Sequence, residues 1–376
     1  MLQKKVKNST VVYRADENNN QQAEESVPVN ATTDTQPENE NVDTQALQNT
    51  EENKEREKTS SSKVEDGSVT LNVLGEIMMG GDVTDNLNYL YMQAFKEVYN
   101  EAKSADFTYA NFSTNITNLE KIQDAKSKYL VTKEVINGLH TLGLDAVSIA
   151  SDHMIDYPQE IFQNTVNTLE KNDIFVAGRE NTPVYLEKGD KKIAIVSTNA
   201  VFVGTSKNYN KYGISTYTLE NMKKNIKEAK EAANIVIVDV HWGRDHTYGV
   251  TDQMRNIATA AIDSGADMVM GSHALGVYPL VTYQDKPILY STGYFISDLE
   301  YTVAKEGFIF GIHISKEGKI DEIKMTPTYV EDKKQVVPYE SHNSEKAKTY
   351  LEQFNIWQKD NSLNSQIQDN QIVVKL

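Results

Sequence analysis

Ile235-Val-Ile-Val-Asp-Val240, followed by His241-Trp242-Gly243, decides how this chain is read. The apolar run is of the kind that makes a buried strand. His, Trp and Gly at its carboxyl end suit a site better than a core. Ligands of open α/β sheets sit outside the carboxyl ends of strands, and an imidazole there can bind a metal or move a proton. The pattern recurs twice. Asp145-Ala-Val-Ser-Ile-Ala150 runs into Ser151-Asp152-His153, and Ala266-Asp-Met-Val-Met270 runs into Gly271-Ser272-His273. Three of the seven histidines therefore stand at apparent strand ends, where one pocket can collect them.

Working outward, strands and helices alternate. Ser68–Gly75 alternates like a strand and leads into Glu76-Ile-Met-Met-Gly-Gly-Asp82. A helix is expected over 86–103, with Leu90, Ala94, Val98 and Ala102 at i, i+4 spacing. A short strand Phe107–Ala110 runs into Asn111. Helices follow at 132–142 and 158–172, with strands at 145–150, 174–177 and 192–197. Helices at 219–233 and 252–264 flank the 235–240 strand, and 268–270 is the next. Residues 277–283 with 287–290, and 308–314 with 320–330, read as antiparallel pairs. Such alternation means an α/β domain with some antiparallel pairing. The domain is expected over 68–331, followed by a C-terminal segment 332–376 made of a polar helix at 344–358 and a loose end.

Residues 1–67 are crowded with Glu, Asn, Gln, Thr and Ser and hold almost no large apolar side chains. Such a segment cannot bury enough surface to offset its ordering entropy, so a disordered tail or tether is expected. The whole-chain mean hydropathy of −0.54 reflects it. A net charge of −16 with no basic stripe argues against nucleic acid as a partner. The absence of cysteine excludes disulfides, thiol catalysis and Cys-based zinc sites. No apolar run reaches the ~18–20 residues that span a bilayer. The basic start, Met1 to Lys7, has no apolar core behind it and is not a signal peptide as written. Two locations stay open on these grounds: the cytoplasm, or the cell surface by way of an anchor not seen in this chain.

A lone histidine is by default a core or surface residue. Asp152 beside His153 shifts that reading, because adjacent Asp and His can both supply ligands. Glu76 at the first strand's end can ligate a hard or borderline cation, or simply be a loop acid. His140, His246, His313 and His342 have no comparable setting. There is no Gly-x-x-x-x-Gly-Lys-Ser/Thr phosphate loop, no Gly-x-Gly-x-x-Gly and no Gly-x-Ser-x-Gly elbow.

Taken in order, six motifs resemble the bacterial capsule-synthesis CapA family. Gly75-Glu-Ile-Met-Met-Gly80 is similar to its Gly-Asp-Ile-Met-x-Gly opening, and Ala110-Asn-Phe-Ser-Thr-Asn-Ile-Thr117 to Asn-Leu-Glu-x-Pro-Ile/Leu-Thr. The segment 143–157 resembles Leu-Ala-Asn-Asn-His-x-x-Asp-Tyr-Gly. Val240-His-Trp-Gly-Arg-Asp245 resembles His-Trp-Gly-x-Glu. Residues 265–273 resemble Gly-Ala-Asp-x-Val-x-Gly-His-His, and 286–295 resemble Lys-Pro-Ile-x-Tyr-Ser-Leu-Gly-Asn-Phe. The resemblance covers roughly residues 70–330. It implies a calcineurin-like metallophosphoesterase fold, a four-layer α/β/β/α sandwich, and a role in poly-γ-glutamate capsule synthesis and export at the cell surface. The implied partners are poly-γ-glutamate or another envelope polymer and the membrane proteins of capsule synthesis, with the polar tail as tether.

Carried over residue by residue, the resemblance implies metal ligands at Glu76, Asp152, His153, His241 and His273, and catalytic roles for His241, Asp245 and Asn111. The departures are specific. Glu76 replaces Asp, Ser113 replaces Glu, Ser151 and Asp152 replace two Asn, Ser272 and Leu275 replace two His, and Tyr294 replaces Asn. A two-metal centre needs ligands on both ions, so these losses imply one divalent ion, or none. Two readings follow. One is a degenerate homologue that binds a polymer or serves as an accessory. The other is an active metal-dependent hydrolase or transferase acting on a phosphate ester or a γ-glutamyl amide.

Overall fold

The computed structural model describes residues 67–120, 122, 128–201, 206–244 and 249–376. The expected tail over 1–67 lies outside them, apart from Gly67. Two sheets carry the fold. In the larger, of ten strands, Asn364–Gln368, Gln371–Lys375, Ile320–Glu331, Glu306–Ile314, Val69–Ile77, Phe107–Phe112, Ala146–Ser148 and Phe175–Ala177 lie side by side. Tyr294–Ile296 pairs with Val69–Ile77, and Gln335–Pro338 with Ile320–Glu331. The smaller has six strands in the order Leu280–Tyr283, Lys286–Leu289, Met268–Ser272, Ile235–His241, Lys191–Asn199, Val184–Lys188.

Strand alternation assigns the layers, because successive side chains face opposite sides of a sheet. Ile235 and Ile237 point inward and meet Leu71, Val73, Tyr109, Phe308 and Phe310 of the other sheet in one core. Val236, Val238 and Val240 point outward and pack under Met222, Ile226, Ile257 and Ala258 of helices Leu219–Ala232 and Asp252–Asp263. On the other side, Ala110, Phe112 and Val147 face Val135 and Leu139 of helix Val135–Leu142, and Phe162 and Val166 of helix Gln159–Glu170. Helix, sheet, sheet, helix is the expected four-layer α/β/β/α order.

The same alternation builds a polar end into the inter-sheet layer. In phase with Ile235 and Ile237 come Asp239 and His241. In phase with Ile193 and Ile195 come Ser197 and Asn199, and Ser272 follows Met268 and Met270. Tyr109 and Asn111 follow Phe107, and Ser148 follows Ala146. Every one of these polar residues is buried. Each inward face is therefore apolar for most of its strand and polar at its carboxyl end.

Two expectations need correction. No single helix runs over 86–103. Helix Gly81–Leu87 ends at Asn88, which with Tyr89 takes positive φ (47° and 63°), and short turns at Tyr91–Ala94 and Tyr99–Ala102 follow. Asn tolerates the left-handed conformation that closes a helix. The end of the chain is not loose either. Helix Ser344–Asp360 packs Leu351 and Phe354 into the inter-sheet core, and strand Gln371–Lys375 pairs with Ile320–Glu331. The apolar run Ile372-Val373-Val374 is buried, which is what seats it.

This C-terminal module carries a pH-sensitive contact. Tyr339 donates a hydrogen bond to Glu306 Oε1 at 2.6 Å. Burial raises the Glu306 carboxyl above its ordinary 4.5, against the opposing pull of that bond. A raised folded value means the contribution is fully present below 4.5 and is lost as pH rises through the folded value. Glu306→Gln is expected to remove that loss. Urea unfolding of both proteins at pH 4.5 and 8 measures it, and an unchanged difference between the two pH values contradicts the assignment.

Candidate metal centre

The polar ends of the two sheets meet at His241. This residue closes the strand Ile235–His241, registered against Ser272 on one side and Asn199 on the other. Its ring is wholly buried between two oxygens. Nε2 lies 2.9 Å from Asp152 Oδ1, and Nδ1 lies 2.9 Å from Ser272 Oγ. The Ser272 hydroxyl can donate to Nδ1 or accept from it, so the ring can offer Nε2 as an N–H or as a lone pair.

Asp152 comes from the short turn Asp152–Ile155 beyond the strand Ala146–Ser148. Burial would raise its carboxyl. The His241 hydrogen bond and the neighbouring His241, His153 and His273 overcome that and hold it well below the usual carboxylate range. His273 follows the strand Met268–Ser272 and sits at φ +78°, a left-handed conformation uncommon for a residue with a Cβ. Its Nδ1 is 3.9 Å from Asp152 Oδ1, and its ring centroid is 4.8 Å from that of His241. One ligand atom from each of Asp152, His241 and His273 lies within 4.8 Å of the others, and the three are the one such group among the described residues.

Glu76 abuts this group from behind. It falls one residue before the end of Val69–Ile77, where the register shifts, and Gly75 lets Tyr294–Ile296 cross close by. A Cβ on Gly75 would lie 2.7 Å from Gly293 O. Glu76 Oε2 accepts the His273 backbone N–H at 3.1 Å, and Oε1 accepts from Ser113 Oγ. Oε1 is also 4.0 Å from His241 Nδ1. The Ser113 hydroxyl thus lies against the longer Glu76 side chain.

His153 is turned elsewhere. Its Nδ1 pairs with Asp156 Oδ2 at 2.9 Å and its ring lies 4.1 Å from that of Tyr129. Burial would lower the imidazole, but the Asp156 bond and the Asp152, Asp156 and Glu76 charges raise it to about 9. Asn111, the register partner of Glu76, donates to Asp239 Oδ1 at 3.3 Å. Asp245 lies outside the described residues. Trp242 does not cover the pocket. It points outward, fully buried, its Nε1 donating to Tyr290 O at 2.8 Å over Gly271, which leaves no room for a Cβ.

Asp239 carries an unforeseen part of the site. It accepts from Tyr109 Oη at 2.8 Å and from Ser197 Oγ at 2.9 Å besides Asn111. Ser148 Oγ joins through Ser197 at 2.5 Å. Burial raises its carboxyl despite these bonds. The signal in the sequence was an acid set inside an apolar strand, in phase with His241. Leu275 and Tyr294, two of the departures, share a small apolar cluster with Met78 and Ala304, and Tyr129 packs against it.

Two imidazoles and one carboxylate suit a single borderline divalent ion. No comparable second set exists among the described residues, and Leu275 offers nothing to a metal. Comparison with known proteins bears on the family of the chain. The chain is 26% identical over 267 residues to the PGA biosynthesis protein CapA of Bacillus subtilis, covering 67% of this chain and 70% of that one. It is 26% identical over 270 residues to the capsule biosynthesis protein CapA of Bacillus anthracis, covering 68% and 66%. The chain thus spans about two thirds of the length of these relatives. Among solved structures, a 5'-nucleotidase precursor from Thermus thermophilus aligns with a TM-score of 0.41 at 10% identity, over 77% of this chain and 60% of that one. The model of the bacterial capsule synthesis protein PGA_cap matches residues 70–299, the stretch that supplies all three members of the cluster, and the chain belongs to that family.

Proposed function

We propose that this protein is a poly-γ-glutamate-binding accessory of capsule synthesis at the cell envelope, with one divalent metal in its cleft, and not a two-metal phosphoesterase. One observation carries this reading: Asp152, His241 and His273 form a single ligand group, while Leu275 and Tyr294 lie in an apolar cluster. Membership of the capsule-synthesis family supports the cellular role. Asp152, His241 and His273 would hold the ion, which supplies positive charge to polarise a carboxylate or carbonyl oxygen. Glu76 and Ser272 orient His273 and His241 from behind. Asn111, the register partner of Glu76, is tethered by Asp239.

The test combines metal analysis, binding and turnover on the full chain. About one transition metal ion per chain is expected. So are metal-dependent binding of a γ-linked glutamate oligomer and background hydrolysis of bis(p-nitrophenyl) phosphate. Robust hydrolysis, abolished by chelator and by His241→Ala, overturns the reading. A companion variant combines Leu275→His with Ser113→Glu and so returns two candidate ligands. Metal per chain is expected to rise while turnover stays at background, because Glu76 and His153 are already committed to Ser113, His273 and Asp156. A large gain in turnover would show that the lost ligands alone had silenced the site.

A further inference from the structure

Among the described residues, two buried donors beside the cluster lack acceptors. Asn199 ends the strand Lys191–Asn199 in register with His241 and is wholly buried. Val201 donates its backbone N–H to Asn199 Oδ1 at 2.8 Å. That bond fixes the amide orientation and turns Nδ2 away as a donor. Nδ2 meets no hydrogen-bond acceptor among the described residues. Tyr209 lies on helix Ser206–Tyr212, which packs beside the Asp152–Ile155 turn. It is 1% exposed, and its Oη closes no hydrogen bond among the described residues.

The two groups are neighbours. The Asn199 amide lies against the phenol and draws its pKa down, yet the pair closes no well-formed hydrogen bond among the described residues. Burial first, then the charge of Asp152 and finally that of Asp156, nevertheless push the phenol up to about 12. Tyr209 therefore keeps its proton at neutral pH and is a donor. A buried donor without an acceptor is costly and rare in folded proteins. Two such donors side by side, next to a candidate metal ligand, are what an absent acceptor atom would reconcile.

We propose that Tyr209 Oη and Asn199 Nδ2 form a subsite for an amide carbonyl oxygen of the bound ligand, adjoining the Asp152–His241–His273 cluster. A carbonyl oxygen has two lone pairs for two neutral donors. Among the described residues, the charged groups acting on Tyr209 are the Asp152 and Asp156 carboxylates. Two neutral donors match an uncharged carbonyl oxygen, whereas a phosphoryl group would be drawn to the ion that Asp152, His241 and His273 would hold. A γ-linked glutamate polymer offers one such carbonyl per residue, so the assignment rests on the function proposed above and specifies how that site holds the chain.

The test is Tyr209→Phe, made in the full chain with divalent metal present. Calorimetry measures binding of a γ-linked glutamate oligomer and of inorganic phosphate, and a thermal melt measures Tm. The variant is expected to melt no lower than wild type, because the Tyr209 hydroxyl closes no hydrogen bond among the described residues. Its affinity for the oligomer is expected to fall roughly three- to tenfold, the span of one neutral hydrogen bond, with phosphate binding unchanged. A lower Tm with unchanged affinity shows a structural hydroxyl, bonded to an internal water, and overturns the subsite. Equal oligomer affinity at equal Tm overturns it as well, and so does an equal loss of phosphate binding. If wild type itself fails to bind the oligomer, the functional reading falls too, which separates the two failures.

Discussion

Asp239→Leu is expected to destabilise the protein by roughly 3–5 kcal/mol, since each buried donor left without an acceptor costs about 1–3 kcal/mol. Three donors converge on this carboxylate, from Tyr109, Ser197 and Asn111. All four residues are buried, so water cannot replace the lost acceptor. Leucine has similar bulk, which keeps a cavity from contributing. Asp239→Asn keeps one carbonyl oxygen, and the Tyr109 and Ser197 hydroxyls can rotate to accept from its amide. Its cost is expected to stay near 1 kcal/mol. Equilibrium urea unfolding of the three proteins measures both values. A cost below about 1 kcal/mol for the leucine variant would mean that the network is not satisfied through Asp239.

The consequence reaches the cleft. Asn111 sits in register with Glu76, and Asp239 is its tether. The leucine variant frees the Asn111 amide to adopt other rotamers, while His241, two residues along the same strand face, keeps its bonds to Asp152 and Ser272. The change should therefore alter ligand binding more than metal content.

The residues that were legible in the sequence share one property: the pattern that reveals them is local. Ile235–Val240 announces a strand by composition, and strand alternation then forces His241 inward and Trp242 outward. The Trp beside His241 in sequence therefore belongs to the outer core and not to the pocket. Asp239 was passed over because its meaning is not local. Its partners stand on Phe107–Phe112 and Lys191–Asn199, and nothing in the 235–241 segment says that they arrive there. The Asn199–Tyr209 pair was hidden for the same reason.

The candidate ligands divide along a similar line. His241 and His273 follow directly from strand-end position. Glu76 and His153 carried the same signal, yet their side chains have nearer partners in Ser113 and Asp156. A Glu can reach back to a main-chain N–H, as Glu76 does to His273. That contact secures the backbone at φ +78° and holds the imidazole where it faces Asp152. The C-terminal strands escaped notice because Asn364–Gln368 and Gln371–Lys375 are short, and the stretch 364–371 is mostly polar. Gln371–Lys375 finds its place only against the distant strand Ile320–Glu331, and Asn364–Gln368 then pairs with Gln371–Lys375.

His241→Ala is expected to have the largest effect on the candidate centre. It removes one of three ligands outright, so affinity for a divalent ion should fall by more than about 100-fold, since loss of a mere supporting residue already costs about 10–100-fold. The same change should be visible without metal. Asp152 is about nine-tenths buried and holds its charge because His241 bonds it. Without the imidazole its carboxyl is expected to move up from its depressed value, since burial then dominates. The depressed wild-type value means stability that is present above the unfolded 3.8 and is lost as pH falls through the folded value. The metal-free variant should therefore be less stable than wild type at pH 7, and the gap should narrow as pH drops below about 4. Removing one partner of a buried pair costs about 3–5 kcal/mol. His273, 3.9 Å from the same oxygen, offsets part of that, which puts the expected cost at pH 7 at roughly 2–4 kcal/mol. Metal titration and pH-dependent unfolding check the two halves separately, with His140→Ala, an exposed site on a helix, as control. A variant that keeps wild-type metal affinity would remove His241 from the centre. A stability gap that does not change with pH would remove the Asp152 pairing as its cause.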